Sequence, residues 1–271
     1  MEIVLLTSTL VFYLLSTVGF LLALVSPQQL FGRIAPGLLL VACATHGGAI
    51  MVRSLSVGYI AVTNPYEAVS FFTWITSGLF LLVQWRSSLT VLGAVVSPIG
   101  FVLTLGVFVL YTQARALPPA LQSSWLPVHV TLAFLGNAVF CVAFFASLIY
   151  VFQEKRLKGK KIGGVLRHLP SLETLDKLNY RSLSWGFPLL TLGIVSGAVW
   201  ARHAWGHFWI WEPRPILSLV SWVLYAFLLH YRSFGWRGRR AATLTIVCFA
   251  VLLVSFLGAQ LLPGRHGGEF G

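Results

Sequence analysis

Eight apolar runs, each about as long as a bilayer is thick, follow one another along this chain. We predict membrane-spanning helices over residues 3–25, 35–56, 67–85, 89–112, 126–152, 182–200, 215–232 and 241–262. Crossing the hydrocarbon core takes about 20 predominantly apolar residues. Charged residues make up only 10% of the chain, whereas a soluble domain carries about 25%. The sequence therefore predicts an all-α, polytopic membrane protein with a single transmembrane domain over residues 1–271.

The basic residues lie mostly in the short segments between the apolar runs. That placement is typical of topology determinants, so the net charge of +12 does not indicate a nucleic-acid partner. Of the nineteen Lys and Arg residues, fourteen fall on one side of the predicted membrane and five on the other. The bias predicts a multi-pass protein of the cytoplasmic (inner) membrane with both termini outside. The longest cytoplasmic segment, about 154–181, is predicted to contain a short surface helix around Leu172–Leu178.

Six of the seven histidines fall within or beside the predicted spans. An imidazole in hydrocarbon is costly unless it faces a bundle interior or a cavity, so these residues are candidate ligands. His46 lies in the middle of the second run, and His230 near the cytoplasmic end of the seventh. His129 opens the fifth run and His266 follows the eighth, both on the predicted outer side. The alternatives are a structural histidine at 46, a snorkelling one at 230 and interfacial polar residues at 129 and 266.

The segment of about 200–215, which we name the tryptophan loop, holds four of the ten tryptophans. An aromatic belt is the alternative interpretation, but a belt spreads aromatic residues over many helix ends. The i,i+4 spacing of Trp205 and Trp209 predicts a short helix with one flat aromatic face, which suits a porphyrin. Arg202, Arg214 or Arg265 would pair with its propionates.

The tryptophan loop also carries a family resemblance. Its sequence Trp205-Gly-His-Phe-Trp209-Ile-Trp211-Glu212-Pro213 resembles the W-G-x-x-W-x-W-D-P loop of the tryptophan-rich ("WWD") haem-handling family. Within that family the chain is most similar to the CcsA or ResC type of cytochrome c biogenesis protein. Further matches follow in the family's order: His46 with Asn64-Pro65-Tyr66-Glu67, the segment around His129, Leu228-Leu-His230, and Phe256-Leu-Gly258 before His266.

The resemblance implies how each histidine is used. His46 and His230 would be the inner ligands of haem that arrives from the cytoplasmic side. His129 and His266 would hold haem iron beneath Trp205, Trp209 and Trp211 on the outer side. The cargo would be non-covalent haem b, and the partners would be apocytochrome c and a ResB- or CcsB-like membrane subunit. This chain would then be a non-catalytic, haem-handling subunit of a cytochrome c synthase (haem lyase).

Two departures from the family's loop keep alternatives open. The aspartate is replaced by Glu212, and the Lys-Glu that follows is replaced by Arg214-Pro215. A HemX-type protein associated with regulation of haem synthesis is therefore one alternative. A CcmC-like haem handler and a transporter of an unrelated solute are the others.

Overall fold

The computed structural model describes residues 1–26, 28–87, 90–113, 117, 121–160, 163 and 169–261. Within these residues the chain is helical, without strands, as predicted. The eight helices are α1 (Glu2–Val25), α2 (Gln29–Val57), α3 (Pro65–Ser87), α4 (Thr90–Val109), α5 (Trp125–Lys158), α6 (Leu172–Trp205), α7 (Pro213–Ser233) and α8 (Arg239–Leu261). The first seven are long and apolar enough to cross a membrane. The polytopic, all-α fold class is confirmed.

The helices form two compact units. The first unit spans residues 1–116 and 162–170 and contains α1 to α4, in which α1 packs against both α2 and α4. The second unit spans residues 117–161 and 171–271 and contains α5 to α8, in which α5 packs against both α6 and α8. The predicted single domain over 1–271 stays a prediction, and each unit is described by itself below.

Among the helices that are longer than predicted, α5 and α6 border the basic segment of about 154–181. α5 continues to Lys158, and α6 begins at Leu172 rather than at 182. The Ser171 side chain caps α6 by accepting a hydrogen bond from the Thr174 amide at 3.1 Å. The separate surface helix predicted around Leu172–Leu178 is therefore wrong, because those residues form the first turns of α6.

α6 also ends later than predicted, inside the tryptophan loop. It stops at Trp205 because Gly206 adopts a left-handed backbone with φ of 82° and closes the helix on the Arg202 carbonyl oxygen. Residues 207–212 are not helical, and α7 begins at Pro213. The predicted short helix carrying both Trp205 and Trp209 is therefore wrong, since Gly206 separates the two.

Candidate haem-handling site

His46 is completely buried among α1, α2 and α3 of the first unit. Its Nε2 lies 2.9 Å from the Ser70 hydroxyl oxygen, and its Nδ1 lies 3.4 Å from the Tyr13 hydroxyl oxygen. The Tyr13 hydroxyl in turn donates to Ser77 Oγ at 2.8 Å. Neighbouring helices thus supply a polar partner for each ring nitrogen, as a buried imidazole requires. These contacts are also the ones that the structural-histidine alternative predicts.

The Asn64-Pro65-Tyr66-Glu67 motif lies where α2 connects to α3. It contacts Arg53, which lies two turns beyond His46 on α2. The Asn64 side chain accepts a hydrogen bond from the Glu67 amide at 2.9 Å, which caps α3. The Glu67 carboxylate then pairs with Arg53 at 3.1 Å, and both side chains are almost fully buried. Tyr66 donates to Glu2 at 2.6 Å. The motif therefore holds a buried charge pair at the end of α2, the arrangement that an arginine in an apolar helix needs.

His129 lies on α5 and contacts α6 in the second unit. Its Nδ1 lies 2.8 Å from the Gly193 carbonyl oxygen, and its ring lies nearly parallel to Trp200, with centroids 6.0 Å apart. A Cβ added to Gly197 would lie 2.7 Å from the His129 Cε1 atom. Because a carbonyl oxygen only accepts, Nδ1 carries the proton and Nε2 carries the lone pair of the neutral ring. The glycines of α6 thus fix both the position and the tautomer of His129.

Aromatic rings continue from His129 into the tryptophan loop. The indole of Trp205 meets Trp200 edge to face with centroids 4.7 Å apart, and Trp209 meets Trp211 at 6.0 Å. Trp211 is 83% exposed, whereas Trp209 is only partly exposed. The loop therefore offers several indole faces held by one another, without the single flat helical face that the i,i+4 spacing predicted.

Two donors of the loop region lack partners among the described residues. The Nε1 atom of Trp209 is buried and makes no hydrogen bond there. The guanidinium of Arg214, in the first turn of α7, makes no hydrogen bond or ion pair within the described part of the chain. A buried N–H and a cation without partners fit an anionic group such as a carboxylate. Arg202 differs, because its guanidinium already donates to the Gly206 carbonyl oxygen and lies over the Phe208 ring.

Glu212 and Pro215, where this chain departs from the family's motif, have backbone positions at the start of α7 that suit them. Glu212 is the N-cap residue, Pro213 is the first helical residue, and Pro215 lies in the first turn. Backbone amides of a first helical turn have no partner inside the helix, so a proline there costs no hydrogen bond. The replacement of the family's glutamate by Pro215 is therefore compatible with the local backbone.

His230 occupies a different environment from His46. It is exposed, in the last turn of α7, and its ring packs edge to face against Phe234 with centroids 4.9 Å apart. The buried face of α7 carries Tyr225, Leu228 and Arg232 instead. Within the second unit His230 lies off the face that α7 buries, and its role as a haem ligand stays a prediction. His46 and His230 belong to different units.

The other predicted residues fall at the edges of the described chain. His266 and Arg265 lie outside the described residues, so the outer pair of His129 and His266 stays a prediction.

Sequence reasoning missed four residues that touch the candidate ligands: Tyr13, Ser70, Gly193 and Gly197. Each lies more than twenty residues from the histidine it touches, and a lone Ser, Tyr or Gly in an apolar run carries no signal by itself.

The donors of the second unit fit haem. A histidine that ligates a metal usually donates its second N–H to a carbonyl or carboxylate, and His129 does so to Gly193. Trp209 Nε1 and Arg214 supply hydrogen-bond donors for carboxylates, and the neighbouring indoles supply planar apolar surface. No group of three or more His, Cys, Asp or Glu residues with metal-binding geometry occurs in the described chain. His129, Trp209 and Arg214 are therefore the residues of this unit that would suit a planar ligand bearing a metal and carboxylates.

Comparisons with known proteins agree with this chemistry. The family profile described as "Cytochrome C assembly protein" matches residues 62–266. A "Cytochrome c biogenesis protein CcsA" of Guillardia theta is 34% identical over 251 residues, covering 85% of this chain and 83% of the relative. Proteins of the same name from Synechococcus elongatus and Synechocystis sp. are 33% and 30% identical, the latter over 93% of both chains.

A solved structure shares the fold. The chain of a "Cytochrome c Heme Lyase CcmF" superimposes with a TM-score of 0.67 at 19% sequence identity. The match covers 94% of this chain and 46% of that chain, so this chain spans under half the length of its structural neighbour.

Proposed function

This chain belongs to the cytochrome c assembly protein family, and we propose that it takes up haem within the membrane and presents it for attachment to apocytochrome c. His129 and the tryptophan loop form the presenting surface. His46 and His230 are the inner ligands, and His266 is the second outer ligand. The names of the relatives and of the structural neighbour support this function over a HemX-type regulator, a CcmC-like handler or a transporter of an unrelated solute.

The single observation that carries the proposal is the hydrogen bond from His129 Nδ1 to the Gly193 carbonyl oxygen, at 2.8 Å. It fixes the tautomer whose Nε2 lone pair binds iron, and the Trp200 ring holds the imidazole plane. Because Nδ1 already carries the proton, His129 can act as an axial ligand through Nε2 without changing its tautomer. Trp209 Nε1, which makes no hydrogen bond among the described residues, and the Arg214 guanidinium would take the carboxylates of the cargo.

The cargo is haem b held without covalent bonds. No Cys-x-x-Cys-His sequence occurs in the chain, so the usual motif for thioether attachment of haem is missing. The three cysteines lie within apolar helices. Thioether bonds would form on the cysteines of the apocytochrome, and this chain would act as a haem-handling subunit beside a ResB- or CcsB-like membrane partner.

The tryptophan loop faces the outer side of the cytoplasmic membrane in this proposal. The fourteen-to-five distribution of Lys and Arg supports that orientation. Two of the counted arginines are buried in ion pairs, Arg53 with Glu67 and Arg232 with Asp176. One falls on each side, so the bias stays thirteen to four.

The test is to replace the histidines one at a time and to measure two quantities for each variant. These are haem per purified protein and cytochrome c maturation in cells. His46→Ala and His230→Ala should lower the haem that co-purifies, with partial recovery when imidazole is supplied to fill the vacant coordination position. His129→Ala and His266→Ala should impair maturation and alter the spectrum, while haem at the inner ligands remains.

His168→Ala is the control, because His168 lies in the basic segment of about 154–181, apart in the sequence from the proposed ligands and from the tryptophan loop. It should leave both quantities unchanged. Equal loss of haem in all four variants would favour one site over two. Normal haem and normal maturation in all four would refute the proposed ligands.

A further inference from the structure

The hydrogen bonds around His46 define which of its nitrogens carries the proton. Tyr13 has one hydroxyl proton, and it donates that proton to Ser77 Oγ at 2.8 Å. The Tyr13 oxygen can therefore only accept from His46 Nδ1, which lies 3.4 Å away. With the proton on Nδ1, Nε2 carries the lone pair of the neutral ring. Ser70 Oγ, 2.9 Å from Nε2, is then the donor to that lone pair.

Ser70 has a second partner available on its own helix. Hydroxyls in the first unit commonly bond to the carbonyl oxygen four residues earlier, at 2.7–2.9 Å, as those of Thr73, Thr76, Ser97 and Thr104 do. A rotation about one side-chain bond would direct the Ser70 hydroxyl to the Tyr66 carbonyl oxygen in the same way. The hydroxyl would exchange one acceptor for another, at the cost of leaving the buried Nε2 lone pair of His46 unpaired until a ligand takes it.

Ser70 contacts His46 and also lines a small cleft that has room for about one water molecule. This cleft in the first unit is lined by Ser70 together with Ala49 and Tyr66, whereas His46 does not reach it. Arg53 also lines this cleft, and its buried Nη2 atom makes no hydrogen bond among the described residues. The hydroxyl that covers the His46 lone pair is thus the part of the His46 environment nearest to the cleft.

We infer that Tyr13 and Ser70 are positioning residues that hold His46 in a closed state. Tyr13 sets the tautomer, and the Ser70 hydroxyl covers the Nε2 lone pair until it turns to the Tyr66 carbonyl oxygen. His46 becomes able to bind iron only after that rotation. The inference rests on the proposed function insofar as it takes His46 to be a haem ligand. It also reconciles the structural contacts of His46 with that role, since the same contacts close the ligand before haem arrives.

The first test reads the tautomer in protein purified without haem. Side-chain ¹⁵N chemical shifts, with the His46 signals identified by their loss in His46→Ala, should show Nδ1 protonated and Nε2 unprotonated. Tyr13→Phe removes the acceptor on Nδ1 and should shift His46 toward the other tautomer. A wild-type ring protonated on Nε2, or a tautomer unaffected by Tyr13→Phe, would overturn the inference.

The second test measures the rate at which haem-free protein in detergent takes up added haem. Ser70→Ala removes one hydrogen bond from the closed state and should speed uptake by about two- to tenfold. Ser97→Ala is the matched control, because Ser97 is also buried and, within the described part of the chain, bonds only to the Gly93 carbonyl oxygen of its own helix. It should leave the rate unchanged, and Ser70→Thr should retain the slow rate.

The two tests separate this inference from the proposed function. Unchanged uptake in Ser70→Ala, together with loss of haem in His46→Ala, would overturn the closed state and leave His46 as a ligand. Full haem content in His46→Ala would overturn the ligand role instead. In that case a Tyr13-dependent tautomer of His46 would still support the hydrogen-bond assignment.

Discussion

The Nδ1 atom of His129 on α5 donates a hydrogen bond of 2.8 Å to the carbonyl oxygen of Gly193 on α6. Close approach of the two helices makes this bond possible. A Cβ at Gly193 would lie 3.2 Å from the Ala133 Cα atom, and one at Gly136 would lie 3.1 Å from the Leu190 amide nitrogen. Small residues at such positions let membrane helices pack backbone to backbone. His129, the proposed presenting histidine, therefore lies where α5 and α6 approach each other closely.

Gly197→Ala tests this arrangement without touching His129 itself. The added methyl group would lie 2.7 Å from His129 Cε1 and 2.8 Å from Nδ1, so the ring must move away from the Gly193 carbonyl oxygen. Overpacking of this kind costs about 1–3 kcal/mol, and maturation of cytochrome c should fall. Gly106→Ala is the control, since its added Cβ meets nothing within 4 Å. Normal maturation in Gly197→Ala would contradict the role given to His129's position.

The buried pair of Arg53 and Glu67 should be essential for the stability of the first unit. Glu67→Gln leaves a nearly buried guanidinium with one less carboxylate beside it, and loss of one partner of a buried pair costs about 3–5 kcal/mol. The measurement is the thermal unfolding midpoint in detergent. Arg53→Met combined with Glu67→Gln should recover part of the loss. Glu173→Gln breaks an exposed pair with Lys177 and should leave the midpoint unchanged. An equal shift of the midpoint in Glu67→Gln and Glu173→Gln would contradict this prediction.

Trp209→Phe should weaken haem retention because it keeps a ring but removes the buried N–H that has no partner among the described residues. A hydrogen bond to a charged group is worth about 1.5 kcal/mol or more, which corresponds to about tenfold in affinity. The measurement is the dissociation constant of haem for the purified protein. Trp211→Phe changes a ring that is 83% exposed and should have a smaller effect. The same affinity for wild type and Trp209→Phe would remove Trp209 as a donor to the cargo.

The predicted orientation can be read with a reporter that is active only in the cytoplasm. Inserted after Gly159, between α5 and α6, it should be active, because the dense basic residues there are predicted to be cytoplasmic. Fused after His266, it should be silent. The reverse pattern would place the tryptophan loop in the cytoplasm and overturn outward presentation of haem.

Hydropathy predicted the number and type of helices because the bilayer imposes the same length on every span. Their ends were harder to predict, since they depend on single capping residues. Ser171 extends α6 ten residues before the predicted start, and Gly206 stops it inside the tryptophan loop. The i,i+4 spacing of Trp205 and Trp209 was misleading because one left-handed glycine between them ends the periodicity.

The candidate site was only partly predictable for a related reason. Histidines in apolar runs are conspicuous because they are costly there, and the motif around Trp209 identified the family, which the profile match confirms. The residues that position those histidines are ordinary ones on other helices. Gly193 lies 64 residues from His129 and Ser70 lies 24 from His46. Only the packing of α5 on α6 and of α2 on α3 brings these pairs together.

The absorption spectrum of the protein purified in detergent from haem-replete cells tests the central claim most directly. Ligation by two histidines predicts a low-spin spectrum with sharp bands on reduction, and extraction into acidified acetone should release all the pigment because no thioether bonds hold it. A well-folded preparation that is colourless, and that takes up no added haem, would contradict the account.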